Sequence, residues 1–511
     1  MKLGTRKLRK TLVIGTLLAL ELALLLGLAW RLGASTGAAY GAMEGLSILA
    51  VVLLISSREN PSYKLAWIVV ILVFPLFGVI IYLLAGTPSL SPRLRRQARA
   101  ERNLRAAGRP EPRDGAALRA LREFCPSCAR QALFLRSLTG RALYCGGKAR
   151  LLTPGEAFFD ALLEALRSAR RFIFLEFFIL AQGSLLDELM AVLRDRAAHG
   201  VEVRLLYDDA GCMDDLPPGF ASECARAGIR AAAFNPFLPV LDKFMAYRDH
   251  RKIVVIDGAV GFTGGMNVAD EYVNRIELHG HWKDTGVELR GEAVRSLTDM
   301  FLEMWGTACG KTEETAPYFT PCPADAPRPE NGFLLPFHDS PFLGNAAQGS
   351  ILELAGASLH TLYIMTPYLI LDSETVLALC NAARGGVDVR IITPHVADKR
   401  FVHAVTRGSY AQLMEAGVCI YEYTPGFIHS KTVLSDGLCG LVGSVNMDFR
   451  SFYLQYEDAV WFCGGPLAKE LAEDFEKTFA VSLRIDPARW KKRPLAGRLA
   501  AVFLRLFAPL M

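Results

Sequence analysis

The sequence predicts an α/β protein: two layered halves related by a pseudo-twofold axis, joined in one catalytic unit and preceded by N-terminal transmembrane helices. Three observations carry that prediction. A residue pattern occurs twice, the order of helix-like and strand-like segments around it occurs twice, and the first 90 residues hold three long apolar stretches. The pattern is His250-Arg251-Lys252, Asp257, Gly264-Gly265-Met266-Asn267, repeated as His429-Ser430-Lys431, Asp436, Gly443-Ser444-Val445-Asn446, with 17 residues from His to Asn both times. Between them lie the short apolar runs IVVI and TVLS, of the kind that form buried strands.

The elements follow in the same order on either side of a proline-rich stretch. In the first half (135–314) a helix-like run over 157–171 leads to the strand-like FIFLEFFIL (172–180), then a helix ending at Gly200 and the strand VEVRLLYDD (201–209). In the second half (333–485) a helix to His360 leads to LYIMTPYLI (362–370), a helix to Gly385 and VDVRIITP (387–394). Glycine at each helix end is ordinary stop chemistry, and strands alternating with helices imply parallel pairing with helices over the faces. The connection at 315–332 carries Pro317, Pro321, Pro323, Pro327 and Pro329, which marks an exposed linker.

The front, 1–90, reads as a membrane anchor of two or three helices. Thr11 to Trp30, Ala38 to Ile55 and Leu65 to Ala85 are the apolar stretches. As a helix the first spans roughly 30 Å, a bilayer core. A cleaved signal peptide is disfavoured there, because two more apolar segments follow. The third contains Pro75 and Gly78, which membrane helices tolerate. Net charge is only +5, but it is concentrated. Lys2, Arg6, Lys7, Arg9 and Lys10 precede the first stretch, and a basic linker (91–134) with Arg93, Arg95, Arg96, Arg99, Arg102 and Arg105 follows the third. Such clusters favour the cytoplasmic side and anionic lipid headgroups. Two basic flanks on one side require an even number of crossings, against three segments counted, so crossing number stays open. Residues 486–511 place Leu495, Leu499, Val502, Phe503 and Leu506 at helical spacing with Arg498 and Arg505 opposite, an interfacial amphipathic helix. A nuclease on the same motifs requires an extended basic groove with stacking aromatics; the clustered arginine lies instead beside the apolar segments, so nucleic acid is not the expected partner.

Histidine, lysine and asparagine presented twice suit phosphodiester chemistry at a seam. On a strand, alternate side chains share a face, so His250 and Lys252 point one way, as do His429 and Lys431. Two lysines offset charge growing at phosphorus. One neutral histidine attacks and the other, protonated, delivers a proton to the departing alkoxide. Asn267 and Asn446, after Gly-Gly and Gly-Ser turns, are candidate phosphate donors. Asp284 and Glu457 fall 34 and 28 residues after the histidines of their halves and are candidates for orienting the imidazoles. Asp257 and Asp436 count as catalytic candidates, with a turn-anchoring role as the equal alternative, since each precedes glycine.

No cofactor motif is present and no metal set is expected. His279 and His281 lack a completing ligand at suitable spacing, and Cys125-Pro126-Ser127-Cys128 has no second pair of metal-ligand spacing, so a zinc or redox role for it is disfavoured. The 11 cysteines form no disulfide framework; Cys380, Cys419, Cys439 and Cys463 sit in apolar contexts as small hydrophobes.

The paired HxKxxxxD motifs with trailing GGxN and GSxN resemble the phospholipase D superfamily over about residues 135 to 485. Local phrases narrow the resemblance to the bacterial cardiolipin synthases: AWIVVILVFPLFGVIIYLLAG in the front, YRDHRKIVVIDG, PFHDSP, and YEYTPGFIHSK. That resemblance implies two phospholipase D-like halves and a phosphatidyl transfer between two phosphatidylglycerol molecules through a phosphohistidine, giving cardiolipin and glycerol. His250 is then the nucleophile and His429 the acid, and phosphatidylglycerol and anionic lipids are the partners of a multi-pass cell-membrane enzyme. The alternative on the same residues is phospholipase D hydrolysis, or transfer to another alcohol. A third apolar segment departs from the two of many relatives, which touches topology and not chemistry.

Overall fold

The computed structural model describes residues 36–57, 60–86, 91–106, 114–236, 247–311, 313–319, 329–493 and 503–507. They separate into two compact units, the front helices with 503–507, and the remainder, which contains both motif copies.

In the larger unit each half is built on a sheet with the same strand order. The first runs Lys148–Leu152, Gly286–Arg290, Val260–Gly264, Ile253–Ile256, Phe172–Phe177, Glu202–Asp208, Ile229–Phe234. The second runs Phe333–Asp339, Gln455–Cys463, Cys439–Gly443, Thr432–Ser435, Thr361–Met365, Asp388–Pro394, Cys419–Tyr423, with Tyr144–Cys145 and Ser482–Arg484 added at its edges. Only the last three strands of each series are parallel, and the others pair antiparallel. The parallel pairing expected of Phe172–Phe177 with Glu202–Asp208 and of Thr361–Met365 with Asp388–Pro394 is present, and the antiparallel neighbours are additional to it. Helix-strand alternation accounts for the parallel part, but the motif itself folds as a tight hairpin, which forces antiparallel neighbours.

The amphipathic helices supply the second layer. Phe158, Phe159, Leu162 and Leu166 of the helix Gly155–Arg167 pack on Ile173, Leu175 and Phe262. Ile351 and Leu354 of the helix Ala346–Ala357 do the same over Leu362 and Ile364. Each side chain so buried contributes about 1.5–3 kcal/mol of transfer free energy. The stretch expected to be a basic linker departs from that expectation. Its helices Gly115–Phe124 and Pro126–Thr139 turn Leu118, Leu121, Ala129 and Leu135 into the second half's core.

In the front unit the helix Thr36–Ser56 covers the second apolar stretch, whereas the third is broken into Pro61–Val73 and Pro75–Ile81. Pro75 has no N–H and its ring would meet the carbonyl four residues back, so the helix ends at Val73. Gly78 lets the two pieces close, because a Cβ there would stand 2.6 Å from the Val70 carbonyl oxygen. Leu54, Trp67, Ile71 and Val79 form the small core. Among the described residues no helix is long and apolar enough to cross a membrane. The stretch Thr11 to Trp30 and residues 494–502 and 508–511 of the expected C-terminal helix lie outside the described residues. Trp490, just before the latter, is buried against Tyr410.

Candidate active site at the seam of the halves

Each His-x-Lys segment lies just ahead of its apolar strand, not within it. A short strand precedes each histidine, and each pairs with the opposite half. Arg248–Asp249 runs parallel to Gln455–Tyr456, and Gly426–Ile428 runs parallel to His281–Lys283. The next residue along each pair is a histidine facing a carboxylate. His250 Nδ1 lies 3.0 Å from both Glu457 oxygens, and His429 Nδ1 lies 2.6 Å from Asp284 Oδ2. Both candidate orienting residues therefore meet an imidazole, but crosswise. A reading of each half alone pairs the carboxylate with its own half's histidine, because pairing between halves leaves no mark in the spacing.

The carboxylates are themselves held. Glu457 accepts a hydrogen bond from the Ser444 hydroxyl at 2.5 Å, and Asp284 accepts one from the Thr285 amide at 2.8 Å. This explains the one difference between the GGxN and GSxN turns. Ser444 reaches Glu457, whereas a Cβ on Gly265 would stand 2.1 Å from Asp284 Oδ1. Lys252 and Lys431 each donate to the carbonyl of their own histidine at 2.5 Å. Lys431 Nζ also lies 2.8 and 3.2 Å from the two ring nitrogens of His429. Aromatic rings wall the histidines. Phe178 meets His250 edge-on at 5.0 Å and Lys252 at 5.4 Å, while Tyr272 and Trp282 lie 5.2 and 5.3 Å from His429.

Both histidines are 6 % exposed, so burial dominates their protonation. Burial, with Lys252 and Lys431 behind it, holds His250 well below the ordinary imidazole range. His429 is pushed down to about 4 by burial and then by Lys431. Burial lowers Lys252 to about 8 and Lys431 to about 7, and raises Glu457 to about 8. One cause runs through all of these: a low-dielectric pocket disfavours a charge on any member.

The geometry bears on two of the sequence's assignments, and for Asp257 and Asp436 it matches the turn-anchoring alternative. Asp257 and Asp436 are engaged away from the imidazoles. Asp257 accepts from the amides of Arg170, Arg171 and Phe172 at 2.7–2.9 Å, and Asp436 from those of Leu359, His360 and Thr361 at 2.7–2.8 Å. Their φ values are +55° and +52°, with Gly258 and Gly437 also positive, the backbone that an Asp-Gly hairpin turn requires. Asn267 spends both ends of its amide on protein, accepting from Ile179 N at 3.1 Å and donating to the Tyr272 hydroxyl at 2.7 Å. It positions the ring beside His429, and its amide nitrogen keeps a second N–H beyond the one given to Tyr272. Asn446 differs, since its Oδ1 is buried with no hydrogen-bond partner among the described residues.

The sequence reading missed Phe178, Tyr272, Trp282, Ser444 and Asp458. Asp458 receives the Thr263 hydroxyl and, at 3.3 Å, the Lys252 amide. Only Ser444 and Trp282 carried a signal, the first by the Gly-to-Ser difference and the second by its place beside Asp284.

Two imidazoles on two copies of one α/β unit, each with an ammonium of its own half and a carboxylate of the other, define a phospholipase D-like phosphoryl-transfer centre. The family model described as "Cardiolipin synthase, PLD-like domain" matches residues 162–305 and 351–479, and that described as "Phospholipase_D-nuclease N-terminal" matches residues 45–86. A "Cardiolipin synthase" of Geobacillus kaustophilus is 32% identical over 480 residues, covering 92% of this chain and 94% of the relative. "Cardiolipin synthase 2" of Bacillus anthracis is 33% identical, covering 91% and 90%. An "Uncharacterized protein" of Streptococcus mutans is 35% identical, covering 90% and 99%. The chain belongs to the cardiolipin synthase family of phospholipase D-like proteins. Among solved structures, phosphatidylserine synthase of Haemophilus influenzae shares the fold, with a TM-score of 0.58 at 13% identity, over 75% of this chain and 97% of that one.

Proposed function

We propose that this chain is a membrane-bound phosphatidyltransferase that joins two phosphatidylglycerol molecules into cardiolipin and releases glycerol. The observation that carries the chemistry is the crossed pairing of His250 with Glu457 and His429 with Asp284. With Nδ1 of each ring tied to a carboxylate, the reaction falls to Nε2, which on His429 also meets the Lys431 ammonium at 3.2 Å. We assign attack to His250, because the Lys431 ammonium lies against both nitrogens of His429 and not against those of His250. His250 Nε2 forms a bond to phosphorus, the bond from phosphorus to the glycerol oxygen breaks, and protonated His429 gives that oxygen its proton. In the second half-reaction His429 takes a proton from the primary hydroxyl of another phosphatidylglycerol, whose oxygen displaces His250.

Lys252 and Lys431 hold the phosphate oxygens, and Asn446 turns its amide toward them. The arriving negative charge favours the charged forms of both lysines and of His429, offsetting the burial that lowers them. Family membership supports the choice of lipid. Membrane attachment is supported by the front helices, where Ile48, Leu49, Val52, Leu53, Ile55, Leu72 and Val73 are all exposed, an apolar area that soluble surfaces rarely carry. We assign 1–90 as the anchor, crossing the membrane more than once when the stretch Thr11 to Trp30 is included, and 486–511 as an interfacial helix. The test is incubation of the purified chain with phosphatidylglycerol alone. Cardiolipin and glycerol are expected in equal amounts; phosphatidic acid without cardiolipin would make it a hydrolase, and no cardiolipin until another alcohol is added would make it a different transferase.

A further inference from the structure

Away from the catalytic seam, tertiary structure supplies the second cysteine pair that the spacing lacks. Cys439 opens one strand of the second sheet and Cys463 closes its neighbour, and the two are directly opposed across the ladder. Side chains so opposed leave the same face with Cβ atoms about 4.5–5.5 Å apart. Onto that face comes the turn Cys125–Cys128, where one helix of the N-terminal arm ends and the next, Pro126–Thr139, begins. The thiols of Cys125, Cys128 and Cys463 all lie within 4.8 Å of one another, and Cys125 and Cys128 approach to 2.8 Å. Cys128 contacts Cys439 as well as Cys463, and Cys439 contacts Cys463. Cysteines that merely fill a core have no reason to converge on one point. The Cys-x-x-Cys turn and the end of one strand build the three-thiol set, and Cys439 lies against it through Cys128 and Cys463.

We propose that Cys125, Cys128, Cys463 and Cys439 bind a thiophilic tetrahedral cation, zinc, as a structural site. Zinc–sulfur bonds of about 2.3 Å put neighbouring sulfurs about 3.8 Å apart, a spacing the three converging thiols reach by small rotations. On binding, each ligating thiol releases its proton to solvent. Cys439 gives up its hydrogen bond to Gln131 Oε1, now 3.3 Å, while Trp461 Nε1 keeps that oxygen at 3.1 Å. Cys128, Cys439 and Cys463 are almost fully buried and Cys125 half-buried, so the site is closed and non-catalytic. It fastens the arm helices to the strand Gln455–Cys463, whose other part carries Glu457.

The experiment uses the full chain in detergent, reduced, incubated with zinc and desalted. About one zinc per chain by elemental analysis is expected. Replacing zinc with cobalt should give sulfur-to-cobalt charge-transfer bands and the strong visible absorption of a tetrahedral ion. Cys128→Ser and Cys463→Ser should lose the metal and the bands, while Cys380→Ser keeps them. Should the variants fail to fold, a mercurial thiol reagent on the unaltered chain should release zinc as it reacts, with a lower melting temperature on chelation and unchanged turnover below it. No bound metal after zinc incubation, cobalt without charge-transfer bands, or a chain isolated with Cys125 and Cys128 joined as a disulfide and indifferent to zinc would overturn the proposal.

Discussion

A carboxylate's work here is decided by what its oxygens touch. Glu457 and Asp284 each face an imidazole, so Glu457→Gln and Asp284→Asn should lower kcat while leaving lipid binding near its usual strength. His250→Ala and His429→Ala should lose more, on the order of 10²-fold to 10⁴-fold or beyond. Asp257→Ala should behave differently. It removes an acceptor from three backbone amides, so stability should fall by about 1–3 kcal/mol, read as a lower melting temperature, while enzyme assayed well below that temperature turns over within a few-fold of normal. A loss of turnover matching that of Asp284→Asn would return Asp257 to the catalytic set. The Gly-to-Ser difference gives a paired test. Gly265→Ser should be severely impaired, since its Cβ would collide with Asp284, while Ser444→Gly should fold and lose only the hydrogen bond to Glu457.

Among the elements, two very short parallel pairings do most to align the site. Gly426 faces His281 so closely that a Cβ would stand 2.4 Å from its amide nitrogen and 2.5 Å from its carbonyl oxygen. Gly426→Val should therefore part Gly426–Ile428 from His281–Lys283 and lift His429 off Asp284. The expected loss in kcat is comparable to that of Asp284→Asn, and crystallography or histidine NMR should show the His250 and Glu457 pair still in contact. An unchanged kcat would mean that this strand pairing does not set the ring's position.

Over the whole molecule, neither half holds a complete site. Separately expressed halves, divided within 320–328, should each be inactive and regain activity when mixed, because each imidazole lacks its carboxylate until the other half docks. Activity from either alone would exclude a centre shared across the seam. The pH dependence follows from the same buried cluster. His250 must be neutral to attack, and its depressed pKa places the acid limb of kcat/KM below the ordinary imidazole value. His429, the proposed acid, must be protonated, so kcat/KM should already decline above about 4, and it should decline more steeply as pH rises through about 7 and 8, where Lys431 and Lys252 of the free enzyme lose their protons. A rise in kcat/KM across that range would contradict the electrostatic role given to the lysines.

By itself the sequence determined the two-half α/β plan, the phosphodiester chemistry and its lipid setting, because these rest on local pattern: apolar periodicity, the duplicated His-x-Lys, and charge beside apolar stretches. Strand positions such as Phe172–Phe177 and Asp388–Pro394 were legible for the same reason. What tertiary structure decided are the relations that no spacing records. It engaged Asp257 and Asp436 at turns, crossed Glu457 and Asp284 to the opposite histidines, and gathered Cys439 and Cys463 against Cys125 and Cys128. Each depends on contacts between residues far apart in the chain, and their energies are set by burial and hydrogen-bond geometry that exist only once the halves have closed.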